Sequence, residues 1–128
     1  MLFNKVHHIA IICSDYNKSK FFYNQVLQLP IIQETYRQNR KSFKLDLKIN
    51  DDLQLELFSS HECPSRPSYP EACGLRHLAF NVTDINNTIE YLKQHNVICE
   101  PIKVDSITNK KFTFFQDPDN LPLELYEI

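Results

Sequence analysis

Two stretches of this chain repeat each other at both ends, and that duplication constrains the fold more than any other feature. Residues 8–15, HIAIICSD, match residues 77–84, HLAFNVTD: a histidine, a strand-like apolar run, and an aspartate seven positions on. Residues 53–58, LQLELF, match residues 121–126, LPLELY. The histidines His8 and His77 are offset by 69 positions and the glutamates Glu56 and Glu124 by 68. Agreement at both ends in nearly one register is the mark of a repeated supersecondary unit. With 128 residues the chain has one domain's worth of length, so two copies must share one core. The expected organisation is a single domain, 1–128, made of module one (4–59), a proline-rich connector (60–73, SHECPSRPSYPEAC) and module two (74–128).

Pattern predicts the elements within each module. Residues 5–13 alternate as a strand, and Ser14 or Asp15 caps a helix with Phe22, Val26 and Leu29 on its apolar face, ended by Leu29-Pro30. Three strands follow. Residues 41–50 set Phe43, Leu45, Leu47 and Ile49 against Lys44, Asp46 and Lys48, the period of two expected of a sheet with one wet face. Residues 53–58 close the module. Module two repeats the order: strand 75–83, a cap at Thr83 or Asp84, a helix with Ile85, Ile89 and Leu92 on one stripe, and three strands ending at Tyr126. Both modules therefore read βαβββ, and the class is α+β. Gly74 is the single glycine, so the turn at Asp119-Asn120 must use asparagine for positive φ, and no glycine-rich phosphate loop can form.

Alternation also assigns faces. Glu56 points with Gln54 and Phe58, away from Leu53, Leu55 and Leu57; Glu124 points with Pro122 and Tyr126, away from Leu121, Leu123 and Leu125. His8 shares a face with Val6, Ala10 and Ile12, while His7 falls on the opposite, helix-facing side. A carboxylate set among leucines is costly to desolvate without a counter-charge, and here one recurs in both copies. A divalent cation held by His8, Glu56, His77 and Glu124 supplies that charge. Two imidazoles and two carboxylates suit nickel, zinc, iron, manganese or cobalt. His7, His61 and His95 are not expected to be ligands, and Phe112, Phe114 and Phe115 read as sheet packing.

Bulk properties exclude other classes. A formal charge of −2, with basic and acidic residues interspersed, gives no footprint for nucleic acid or an anionic membrane, so the expected partner is a small molecule. The N-terminal apolar run is short, carries two histidines, and resembles neither a signal peptide nor a spanning helix, so a cytoplasmic protein is expected. Cys13, Cys63, Cys73 and Cys99 lack metal-ligand spacing and read as reduced thiols.

These segments resemble the vicinal oxygen chelate superfamily along the whole chain. The nearest likeness is to glyoxalase I, or lactoylglutathione-lyase-like, proteins, and within them to the short bacterial YaeR-like group, through HHIAIICSDY, KLDL, GLRHLAF and the closing FTFF-x-DPD-x-LPLELYE. The resemblance implies two tandem βαβββ modules forming a curved mixed-sheet cup, with metal ligands at His8, Glu56, His77 and Glu124. It also implies a homodimer in which one subunit supplies His8 and Glu56 and the other His77 and Glu124, although a 14-residue connector permits closure within one chain. One position departs from the family pattern: four residues past the first ligand, where glyoxalase I carries an arginine that grips glutathione, this chain has Ile12. Arg37, Arg40, Lys44 and Lys111 are the other candidates for holding an anionic substrate.

The expected activity is proton transfer next to a carbonyl in a small hydroxy-carbonyl or thiol-adduct substrate, through a metal-stabilised enediolate, with Glu56 or Glu124 as the base. Two alternatives stand beside it. One is an Fe(II)-dependent dioxygenase using His8, His77 and Glu124; the other is a non-catalytic protein that binds a small molecule or metal.

Overall fold

Alternation in the third strand of module one is what the chain follows most closely. Leu45 and Leu47 are fully buried, whereas Lys44 and Asp46 on the other face are half-exposed. The computed structural model describes all residues from Met1 to Ile128 and divides into two units, Met1–Ser65 and Arg66–Ile128, so that the boundary falls inside the proline-rich connector.

The first unit holds strands β1 (His8–Cys13), β2 (Ile31–Arg37), β3 (Ser42–Lys48) and β4 (Gln54–Ser59) in the order β1-β4-β3-β2. β1 runs parallel to β4, and the other neighbours are antiparallel. The second unit repeats this with β5 (Leu78–Val82), β6 (Lys103–Val104), β7 (Lys111–Gln116) and β8 (Pro122–Glu127) in the order β5-β8-β7-β6. Again the first strand is parallel to the last. Two mixed four-stranded sheets with few helices form an α+β fold, as the duplicated pattern predicts.

Each module's helix follows its first strand and is capped by the aspartate that ends the repeated motif. In α1 (Tyr16–Lys20) the Asp15 carboxylate accepts from the Lys18 N–H at 3.1 Å; in α2 (Ile85–Gln94) Asp84 accepts from the Asn87 N–H at 3.0 Å. The first helix continues as a π-helical segment, Phe21–Val26, and buries Ser19, Phe22, Tyr23 and Val26, an i, i+3, i+4, i+7 stripe. Leu29 does not belong to that stripe as expected, because the chain leaves the helix at Gln28, whose φ is +61°. In α2, Ile85 and Leu92 are buried and Ile89 half-buried. Asn96 (φ +62°) then takes the left-handed position that often ends a helix, and Asn120 (φ +67°) makes the turn before β8.

Beneath the helices lie Leu45, Leu47, Leu55 and Leu57 in the first unit and Leu123 and Leu125 in the second. The first strands are shorter than their apolar runs. β1 begins at His8 because its partner β4 begins at Gln54, whose N–H bonds the His7 carbonyl at 3.2 Å; upstream residues have no strand to pair with. This shortening frees His7 from strand alternation. All four cysteines are free thiols, and no helix is long and apolar enough to cross a membrane.

Candidate functional site

In the first unit, parallel pairing sets His8 opposite Gln54 and Ala10 opposite Glu56, so these residues share one face of the sheet. Glu56 is buried, with 6% of its surface exposed, on the strand between Leu55 and Leu57. Its carboxylate meets three groups. His8 Nδ1 lies 3.4 Å from Oε2, the Gln54 amide donates to Oε2 at 3.0 Å, and Lys44 Nζ lies 3.5 Å from Oε1. Lys44 also pairs with Asp46, which stands directly opposite Glu56 across the ladder, at 3.2 Å. Burial pulls the Lys44 pKa down, but the bond and charge of Asp46, then the charge of Glu56, outweigh it and hold the ammonium above its ordinary 10.5.

The second unit places His77 immediately before β5, with Nε2 2.8 Å from Glu124 Oε2. Glu124 is buried, with 8% exposed. Lys44 and Asp46 of the first module have Phe112 and Phe114 as their ladder equivalents here, since Phe114 stands opposite Glu124 and Phe112 opposite Tyr126. Phe114 packs edge-on against the His77 ring at 5.1 Å and against Phe112 at 6.0 Å. His77 is the side chain that pairs with Glu124, where Glu56 has His8, Gln54 and Lys44. The other ring nitrogen of His77, Nδ1, is shut from solvent without a hydrogen-bond partner. A cavity of about 490 Å³ opens beside His77, lined by Tyr69, Arg76, Ile98, Lys103 and Phe114 among others. One half-site is thus polar and ion-paired, the other aromatic.

Each unit presents one imidazole and one buried carboxylate on equivalent positions of equivalent strands. Comparison with known proteins says what such a duplication belongs to. The model of the Glyoxalase/Bleomycin resistance protein/Dioxygenase superfamily matches residues 5–125. The chain is a member of this superfamily. It is 57% identical to the uncharacterized protein YaeR of Escherichia coli over 123 residues, covering 96% of this chain and 95% of that one. It is 54% identical to the uncharacterized protein YwkD of Bacillus subtilis over 127 residues, covering 99% of both. Among solved structures, a glyoxalase family protein from Enterococcus faecalis superposes with a TM-score of 0.92 at 48% identity, covering 99% of this chain and all of that one.

Members of the glyoxalase superfamily typically bind a divalent metal, and His7, His8 and Glu56 offer donor atoms close enough together to hold one. Two donors on one ion, each about 2.1 Å from it at tetrahedral or octahedral angles, lie about 2.9–3.4 Å apart. The His8–Glu56 separation of 3.4 Å falls within that spacing, and the His77–Glu124 separation of 2.8 Å lies just below it, at ion-pair distance.

Sequence reasoning missed His7. Strand alternation was expected to turn it toward the helices, but it lies outside β1. Its Nδ1 comes within 2.9 Å of His8 Nδ1, and His7, His8 and Glu56 offer donor atoms all within 4.8 Å of one another. The signal that could have found it is the His7-His8 doublet at a strand's first residue, where alternation does not yet apply.

The four candidate cations for an anionic substrate separate clearly. Lys44 is engaged by Asp46 and Glu56, while Arg40, on the Gln38–Arg40 turn, and Lys111, the first residue of β7, are exposed. Arg37 is half-buried, with its guanidinium carbon 4.7 Å from the centre of the Phe58 ring and a terminal nitrogen 2.8 Å from the Ser42 hydroxyl.

Proposed function

We propose that this chain is a metal-dependent, glyoxalase-like lyase or isomerase that moves a proton between adjacent carbons of a small hydroxy-carbonyl or thiol-adduct substrate. His8, Glu56, His77 and Glu124 would hold one divalent cation, nickel, zinc, iron, manganese or cobalt. The two units would act as one domain and complete the site in a homodimer.

The observation that carries this reading is the repetition of a buried carboxylate beside an imidazole, at 3.4 Å in one unit and 2.8 Å in the other. A solitary buried carboxylate among leucines is costly, and a duplicated one in matched register speaks for a shared ionic partner. The bound ion would supply Lewis acidity, lowering the cost of negative charge growing on the substrate oxygens. The chain's own part is to place the two glutamates. Each can accept a proton from one carbon and return it to the next. Phe112 and Phe114 would supply an apolar wall beside the His77–Glu124 pair.

The test is to strip the protein with chelator and assay methylglyoxal plus glutathione with each metal restored, following both product and exchange of carbon-bound hydrogen with deuterated solvent. Metal-restored turnover with exchange is expected. Fully loaded protein giving neither product nor exchange with this adduct would overturn the thiol-adduct form of the reading, and no exchange with small hydroxy-carbonyl acids as well would overturn the whole of it.

A second reading has one specific observation behind it. His7, His8 and Glu56 make two imidazoles and one carboxylate within reach of a single point, the donor set of non-haem Fe(II) oxygenases. Turnover with Fe(II) alone that stops when oxygen is removed would favour it.

A further inference from the structure

The strongest unexplained group in the first unit is Arg37. The other basic side chains given ionic partners meet carboxylates: Lys5 with Asp52, Lys20 with Glu34, Lys44 with Asp46 and Glu56, Lys48 with Asp51, and Arg76 with Glu71. Arg37 meets none, although it is half-buried. Its charge is answered only by the face of Phe58, 4.7 Å from the guanidinium carbon, and by the Ser42 hydroxyl at 2.8 Å. Its Nε is closed off from solvent with no partner at all. A guanidinium offers five donors in a planar fork suited to carboxylates.

Its position ties it to the half-site at Glu56. Phe58 lies on β4 two residues beyond Glu56, on the same face, and stands opposite Ile12 of β1. Two residues along a strand is about 7 Å. Ile12 is 61% exposed, so the β1 side of Phe58 is open to a ligand, while Arg37 reaches the same ring from β2. A small molecule with its oxygens at His8 and Glu56 would bring a group two or three carbons away to this ring. A cation seated over an aromatic face and flanked by an isoleucine favours a flat anion with an apolar stem. With Lys44 already committed to Asp46 and Glu56, a single positive charge remains, which matches a monoanionic carboxylate better than a phosphate dianion.

We propose that Arg37, seated over Phe58 beside Ile12, is the anchor for a carboxylate group of the substrate, so that the substrate is a small hydroxy-carbonyl acid whose carboxylate lies two or three carbons from its reacting oxygens. This deepens the metal-dependent reading above and rests on it for where the reacting oxygens sit. The cation that Ile12 lacks on β1 is in this arrangement supplied from β2.

The test uses two chelators of equal length, the monohydroxamic acid of succinate and neutral butyrohydroxamic acid, titrated calorimetrically into nickel-loaded protein. Wild type is expected to prefer the carboxylate-bearing chelator by about tenfold, the factor that one charge-assisted hydrogen bond supplies. Arg37→Gln is expected to lose that preference while binding butyrohydroxamate as wild type does, and Arg37→Lys to keep part of it. A preference unchanged in Arg37→Gln, or equal binding of both chelators by wild type, would overturn the proposal while leaving the metal reading intact. In parallel, succinate alone is titrated into isotope-labelled, metal-free protein while the Arg37 side-chain N–H resonance is followed. A shift of that resonance with no chelator binding at all would sink the metal reading and leave the carboxylate anchor standing; no shift and no binding would sink both.

Discussion

At the scale of single residues, each half-site pairs an imidazole with a buried carboxylate, in unequal surroundings. Glu56 sits in a polar network with Lys44, Gln54 and Asp46, whereas Glu124 has His77 and an aromatic wall. Lys44 makes this difference measurable. Its folded pKa lies above the ordinary 10.5, so the folded state holds the proton more tightly than the unfolded chain. Its contribution to stability is therefore complete below pH 10.5 and fades as pH rises through the folded value. Direct titration of the Lys44 side-chain resonances should show the raised value in wild type and a lower one in Asp46→Asn; a value unmoved by that substitution would mean Asp46 is not what holds the proton. Residue types and strand parity made His8, Glu56, His77 and Glu124 legible as candidates. They did not reveal His7, because its geometry depends on where β1 begins, and that is fixed by the start of β4. Nor did they sort Arg37 from Lys44, Arg40 and Lys111, since pairing between distant strands decides which cation already has a carboxylate.

At the scale of elements, the period-two patterns and aspartate caps were the most readable signals in the chain. Leu45, Leu47, Leu55 and Leu57 are fully buried, as alternation requires. Leu55→Ala should cost about 2–5 kcal/mol in denaturant unfolding, the range for emptying a packed leucine site; Leu123→Ala, its fully buried counterpart on β8, should cost a similar amount. A loss below about 1 kcal/mol at both would mean that the sheets are not packed as described. Asp84→Ala should cost about 1 kcal/mol by removing the cap of α2, with the effect visible as faster amide exchange at Asn87. The end of the first helix was less readable. Leu29 fits a helical stripe by spacing, but Gln28 turns left-handed before it, a choice made by the local chain rather than by apolar periodicity.

For the whole molecule, the duplication carried most of the information. It gave two modules of one topology, as the two sheets show, and the equivalence of His8 with His77 and of Glu56 with Glu124. What a repeat cannot encode is which module completes which, because equivalent surfaces can pair within one chain or between two. The homodimer proposed above should sediment at twice the 15.2 kDa chain mass, and a monomer that still binds metal through all four residues would reject it. The most direct measurement is a competitive metal titration of wild type, His77→Ala, Glu124→Gln and His7→Ala. One ion per chain is expected. His77→Ala and Glu124→Gln should each weaken binding by about 100-fold or more, since even outer-shell partners are worth 10–100-fold, while His7→Ala should leave it unchanged. Wild-type affinity in both His77→Ala and Glu124→Gln, with the ion lost from His7→Ala, would contradict the four-residue site and assign the ion to His7, His8 and Glu56 of the first unit alone.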